Sequence, residues 1–229
     1  MIGIRERLDR LNGLVDQAAK RSGRSAKDIT IVAVTKGAGA EEVKEAVSAG
    51  LKVFGENKVQ EAEAKIPLVG DPALEWHMIG HLQSNKIKSA MELFSLIQSV
   101  DSLGLAKKLN EVAVAASRTV SVLLEVNISG ETQRFGFGPE EIYTAIESVA
   151  ALPAVKVLGF MGMAPAGPDM TVKKEAFKKL RNIFSVCRTL KYPNLEMKHL
   201  SMGMSDDFES AIEEGSNMIR IGRALFRDR

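Results

Sequence analysis

Three short stretches hold the residues best able to do chemistry. "IVAVTKGAG" (31–39) is an apolar run that ends on an amine, Lys36, where it passes into a glycine-rich loop. A lysine at such a point costs desolvation unless its head meets water, a partner or a reacting group. "LSMGMSDDFESA" (200–211) sets Ser201, Gly203 and Ser205 ahead of a helical pattern whose first N–H groups can cradle an anion. "RIGRALF" (220–226) adds Gly222, where backbone can approach a ligand closely, between Arg220 and Arg223. The last two stretches read together as a phosphate cup. An amine desolvated beside cations gives up its proton more readily and becomes nucleophilic toward an aldehyde. The chemistry indicated is imine formation with a phosphorylated carbonyl compound.

Eight strand-like runs must position these groups: 29–34, 52–55, 75–80, 93–100, 120–128, 155–163, 197–203 and 218–222. Segments with apolar spacing near 3.6 alternate with them, among them "AEEVKEAVSAG", "SLGLAKKLNEVAVAA" and "KEAFKKLRNIFSVCRTL". Continuous apolar strands separated by crossover helices imply an all-parallel sheet. An open doubly wound sheet also satisfies the alternation, but eight strand–helix units favour closure. The expected fold is therefore a single (β/α)8 TIM barrel over residues 1–229, preceded by an extra N-terminal helix with Ile4, Leu8, Leu11 and Val15 on one face. In such barrels ligands sit at the carboxyl ends of the strands, and the loops after strands seven and eight often hold phosphate. The two glycine loops fall there. Lys36 ends the first strand, and Arg220 shares a strand face with Met218 and Gly222. Two boundary expectations follow: Pro139 in the first turn of a helix, and Asp206 with Glu209 as a capping box.

The chain has 45% hydrophobic and 26% charged residues, the balance of a soluble globular protein. A formal charge of +2, with bases interleaved among acids, argues against nucleic acid as a partner. No segment is apolar enough for a membrane span, and the N-terminus reads as an amphipathic helix rather than a targeting peptide. The single cysteine, Cys187, lies in an apolar helical stripe, which suits a small core residue in a reducing cytoplasm. His77 and His81 have metal-ligand spacing only on a helix; here the pattern is strand then loop, so no metal is expected. His199 is expected as a hydrogen-bonded interior residue.

Lysine, arginine and phosphate cup converge on pyridoxal 5′-phosphate (PLP), whose aldehyde forms an imine with lysine and whose ring nitrogen takes an Asp or Arg partner. A Schiff-base aldolase acting on a sugar phosphate needs the same lysine and cup, so the residues alone leave both open. "AVTKG", "FGENKVQEA", "WHMIGHLQSNK", "VNISGE", "GFMGMAP", "LSMGMSDDFESAI" and "RIGRALF" occur in that order. Together they resemble the signature segments of the pyridoxal phosphate homeostasis protein family, barrel relatives of alanine racemase, from about Val32 to the C-terminus. The resemblance implies that Lys36 carries PLP as a Schiff base, that Arg220 faces the pyridine nitrogen, that Ser201, Gly222 and Arg223 hold the phosphate, and that Asn57 lines the pocket. Two positions depart from the family pattern: Arg134 stands where the family usually has lysine, and the chain ends Phe226-Arg227-Asp228-Arg229 instead of on Phe-Gly-x-Arg.

An arginine at the ring nitrogen keeps it unprotonated and weakens the ring as an electron sink. Neither Tyr143 nor Tyr192 is placed to act as a second acid or base. The expectation is a non-catalytic cytoplasmic PLP carrier, monomeric because no dimerisation segment is evident, serving PLP-dependent apo-enzymes and vitamin B6 balance. A weakly active racemase and the aldolase are the rivals.

Overall fold

The computed structural model describes residues 3–226. Its strands are β1 (Thr30–Val34), β2 (Val53–Glu56), β3 (Glu75–Met78), β4 (Leu96–Val100), β5 (Val120–Val126), β6 (Val155–Gly162), β7 (Leu195–Ser201) and β8 (Met218–Ile221). All pair in parallel with their sequence neighbours, and β8 returns to β1 with Val32 opposite Arg220, closing the barrel. Helices α1 (Ile4–Arg21), α2 (Ala40–Ser48), α3 (Val59–Val69), α4 (Ile87–Leu93), α5 (Leu103–Ala115), α6 (Ile142–Ala150), α7 (Met170–Cys187), α8 (Phe208–Glu213) and α9 (Arg223–Phe226) surround it.

Alternation along the strands builds two apolar layers, because successive side chains leave opposite faces of a strand. Val32, Leu96, Leu123, Met161 and Met218 fill the lumen. Ala33, Phe54, Ile97, Leu124 and Ile219 face outward into the larger core beneath the helices. The polar residues Gln98, Glu125 and Arg220 hold lumen-facing places near the carboxyl ends, above the apolar plug.

The expected strands are present with shifted ends. Leu93 and Phe94 end α4 instead of starting a strand, and β7 begins at Leu195, leaving Met202 and Gly203 in the loop. Pro139 is not in a helix: Gly138 to Glu141 form a turn closed by Glu141 N–H to Gly138 O at 3.0 Å, and α6 starts at Ile142. Asp206 is not the N-cap of α8: that helix starts at Phe208 with Asp207 before it, and the Asp206 carboxylate pairs with Arg223.

Candidate functional site

The carboxyl ends of β7, β8, β1 and β2, four adjacent strands, carry Lys36, Asn57, Ser201, Arg220, Gly222 and Arg223. Lys36 lies two residues beyond β1, in a turn closed by Ala38 N–H to Thr35 O at 2.9 Å. Gly37 supplies the φ of +77° that the third place of this turn demands. Lys36 is exposed, contrary to the expected desolvated amine, because the chain leaves the strand at Val34 and lifts the side chain onto the rim. Asn57 follows the last residue of β2; it is half-buried, and its side-chain oxygen is buried without a hydrogen-bond partner.

Arg220 is 5% exposed. Its guanidinium donates to Ser201 O at 2.8 Å, Ser201 Oγ at 2.7 Å and Gly162 O at 3.0 Å, which fixes it across the top of the lumen. Burial pushes its pKa down to about 10, against the pull of Glu125 and Asp207, so it stays charged at neutral pH. Ser201 Oγ in turn donates to Gln98 Oε1 at 2.7 Å, and the Gln98 amide nitrogen lies 2.9 Å from His77 Nδ1. A polar chain thus crosses the barrel from β3 and β4 to β7 and β8. The Ser201 side chain, expected at a phosphate, is spent on this chain and fully buried; the loop beyond it is what remains available to an anion.

That loop is tightly specified. Gly203 has φ +94°, and a Cβ there would fall 2.7 Å from Ala211 Cβ and 2.9 Å from Phe208 Cα. Gly203 O accepts Arg220 N–H at 3.0 Å, and Ser205 Oγ accepts Ala224 N–H at 3.3 Å, joining the two glycine loops. Among the described residues, the N–H groups of Ser205 and Arg223 have no protein acceptor. Gly222 lies against β1, where a Cβ would sit 3.3 Å from Val34 Cβ. Arg223 is exposed at the rim and paired with Asp206. An unpaired amide oxygen, open N–H groups, a buried guanidinium and a lysine suit a flat phosphorylated aldehyde.

The opposite side of the mouth joins two groups that the sequence reading passed over, Glu125 and Asp101, to His81 and Arg134. Glu125, 5% exposed, faces the lumen at the end of β5. Its carboxyl is raised to about 7, first by burial and then by Asp101, against the pull of Arg220, His81 and Arg134. His81 Nδ1 lies 2.8 Å from Asp101 Oδ2, and its ring stacks on Phe135 at 4.0 Å. Arg134 Nε donates to Glu131 Oε2 at 2.9 Å, and its NH1 donates to Ala164 O at 3.3 Å. The signal for Gln98 and Glu125 was present in the sequence: both are polar letters inside apolar runs, on the parity of Leu96 and Leu123. His199 is half-buried without a hydrogen-bond partner among the described residues; burial holds its imidazole below the ordinary value. The terminal departure at Arg227-Asp228-Arg229 lies outside the described residues.

The family described as "Alanine racemase, N-terminal domain" matches residues 8–229. A pyridoxal phosphate homeostasis protein of Aquifex aeolicus is 39% identical over 98% of this chain and 97% of its own length. The chain belongs to the pyridoxal phosphate homeostasis protein family. PipY of Synechococcus elongatus, whose structure has PLP bound, superposes with a TM-score of 0.84 at 34% identity, covering 97% of this chain and 99% of PipY. An alanine racemase of Clostridium difficile shares the fold at TM-score 0.75 and 17% identity, with 99% of this chain matched to 57% of the racemase. Homeostasis-family membership and the closed barrel agree with the resemblance seen in the sequence.

Proposed function

We propose that this protein binds PLP at the carboxyl end of the barrel and holds it in reserve for PLP-dependent apo-enzymes as a monomeric carrier. Lys36 anchors the aldehyde as a Schiff base, Arg220 faces the pyridine nitrogen, and the Ser205, Gly222 and Arg223 backbone takes the phosphate while Asn57 lines the wall. Ser201 serves by holding the Arg220 guanidinium. What carries the reading is that the amine, the guanidinium and both glycine loops fall on one arc of four neighbouring strands. PLP supplies an electrophilic aldehyde and a ring able to delocalise charge.

The non-catalytic reading rests on Arg220, a permanent cation that leaves the ring nitrogen unprotonated and the ring a weak electron sink. Tyr143 is exposed on α6, and Tyr192 precedes β7 at the far end of the barrel. Glu125 favours a second reading, weak proton exchange at an amino-acid α-carbon, since its raised pKa suits a general acid or base. Among the described residues no helix is long and apolar enough to cross a membrane. The thiol of Cys187 is buried and raised to about 11, as an unreactive residue of a reducing cytoplasm would be.

Incubation with PLP turns the protein yellow, and borohydride fixes cofactor mass on the peptide containing Lys36. Lys36→Ala abolishes the fixed mass, while its melting temperature moves little because the side chain is exposed. Wild-type protein that stays colourless rules out the carrier, and label fixed on another lysine rules out Lys36. Solvent deuterium entering an amino acid, and lost in Glu125→Gln, would favour the second reading. Sedimentation of the loaded protein at the mass of one chain checks the monomer.

A further inference from the structure

Behind the Lys36 turn, on the helix side of the sheet, a second lysine is largely enclosed. Glu56, the last residue of β2, is fully buried and shares the outward face of that strand with Phe54. Lys65 reaches it from α3 with its side chain only 10% exposed, forming an ion pair with Glu56 Oε1. The Lys65 ammonium also donates to Thr35 O at 2.8 Å. The Thr35 hydroxyl donates to the same Glu56 oxygen at 2.5 Å, and its N–H donates to Gly55 O at 3.0 Å. Thr35 O therefore has two donors, the Lys65 ammonium and the Ala38 N–H that closes the turn, and the next residue is Lys36.

A buried ion pair is a poor device for stability alone, since apolar residues of similar volume often serve as well or better. This pair also leaves Glu56 Oε2 buried without a partner, a cost that tighter packing would avoid. What the arrangement does achieve is geometric. It ties α3 to the one carbonyl on which the Lys36 turn is built.

We propose that Lys65 and Glu56 clamp this turn, which makes Lys65 a positioning residue for the Lys36 amine. The inference rests on the assignment of Lys36 as the PLP anchor, and its test has one arm that needs no PLP. The key variant is the double substitution Glu56→Gln with Lys65→Met, which removes both charges together and strands neither. It folds with a melting temperature at or above that of wild type. In the unloaded full-length protein, hydrogen exchange at the Ala38 amide becomes about tenfold faster, the effect of one lost hydrogen bond to a charged donor, while amides in β5 are unchanged.

In PLP-loaded protein, the share of bound cofactor that borohydride fixes on Lys36 falls severalfold, although retention through Arg220 and the glycine loops persists. Lys65→Arg alone restores both readouts toward wild type. Unchanged Ala38 exchange in either Lys65→Met or the double variant overturns the clamp, whatever happens to stability. If wild-type protein takes up no PLP, the anchor assignment falls, and the exchange arm still decides whether Lys65 holds the turn.

Discussion

Arg220 shows how one side chain joins structure to binding. Its three acceptors, Ser201 O, Ser201 Oγ and Gly162 O, hold it rigidly before any ligand arrives, so little ordering remains to be done on binding. Arg220→Ala removes a charged contact and should weaken PLP retention by about tenfold to a hundredfold, measured by dialysis of loaded protein. Unchanged affinity would mean that the ring does not meet the guanidinium. Glu125 makes a pH-dependent prediction. The folded protein holds its proton more tightly than the unfolded chain does, so the stabilising contribution is complete below the ordinary carboxyl value near 4.5 and is lost as pH rises through about 7. The shift corresponds to about 3 kcal/mol at alkaline pH. Glu125→Gln stays neutral throughout, and should melt about 8 °C higher than wild type at pH 8 and no higher near pH 4. Equal melting at pH 8 would show that the carboxylate is well solvated or paired there.

Among the elements, the loop between β7 and α8 is the most exacting. Gly203 combines a left-handed backbone with close approach to α8, so a methyl group at this position meets Ala211 and the Phe208 backbone at once. Gly203→Ala should cost about 2–3 kcal/mol through strain and overpacking. It should also loosen the loop whose carbonyl orients Arg220, so PLP retention falls together with stability. Thermal melts and cofactor titration of the same sample test this; loss of stability with full retention would detach α8 packing from the site. The runs over β7 and β8 revealed the glycines and the arginine, since alternation alone puts Arg220 on the face of Met218 and Gly222. They did not reveal that Ser201 would turn inward to Gln98, because the two residues lie 103 apart in the chain and meet only across the closed lumen.

At the scale of the whole molecule, α1 finishes the barrel. Among the described residues only the short α9 follows β8, and α1 packs against α8, α9 and α2 over the seam where the last strand meets the first. Arg7 donates to Leu225 O at 3.0 Å and Arg24 to Ser216 O at 2.9 Å, while Arg21 pairs with Glu209 and Glu213. Ile4, Leu8, Leu11 and Val15 are buried under this cover. Leu11→Ala should therefore cost about 2–4 kcal/mol, a core-like value for a residue near the chain terminus. Chemical denaturation measures it, and a cost below about 1 kcal/mol would show that α1 is dispensable to closure.

Read alone, the sequence determined what local periodicity and residue type can carry: eight apolar strands with helices between them, an amine at the end of the first and glycine loops after the last two. It also carried the family resemblance, because "FGENKVQEA" and "LSMGMSDDFESAI" are ordered strings of residues. Tertiary structure decided which polar groups meet. Lys65 lies nine residues from Glu56 and thirty from Thr35, and only the packing of α3 on the sheet makes the three one unit. Closure likewise set Glu125 facing Arg220 in a low-dielectric lumen, which fixes a carboxyl near neutrality. Burial and long-range contacts set such energies, and neither is a property of a residue and its sequence neighbours.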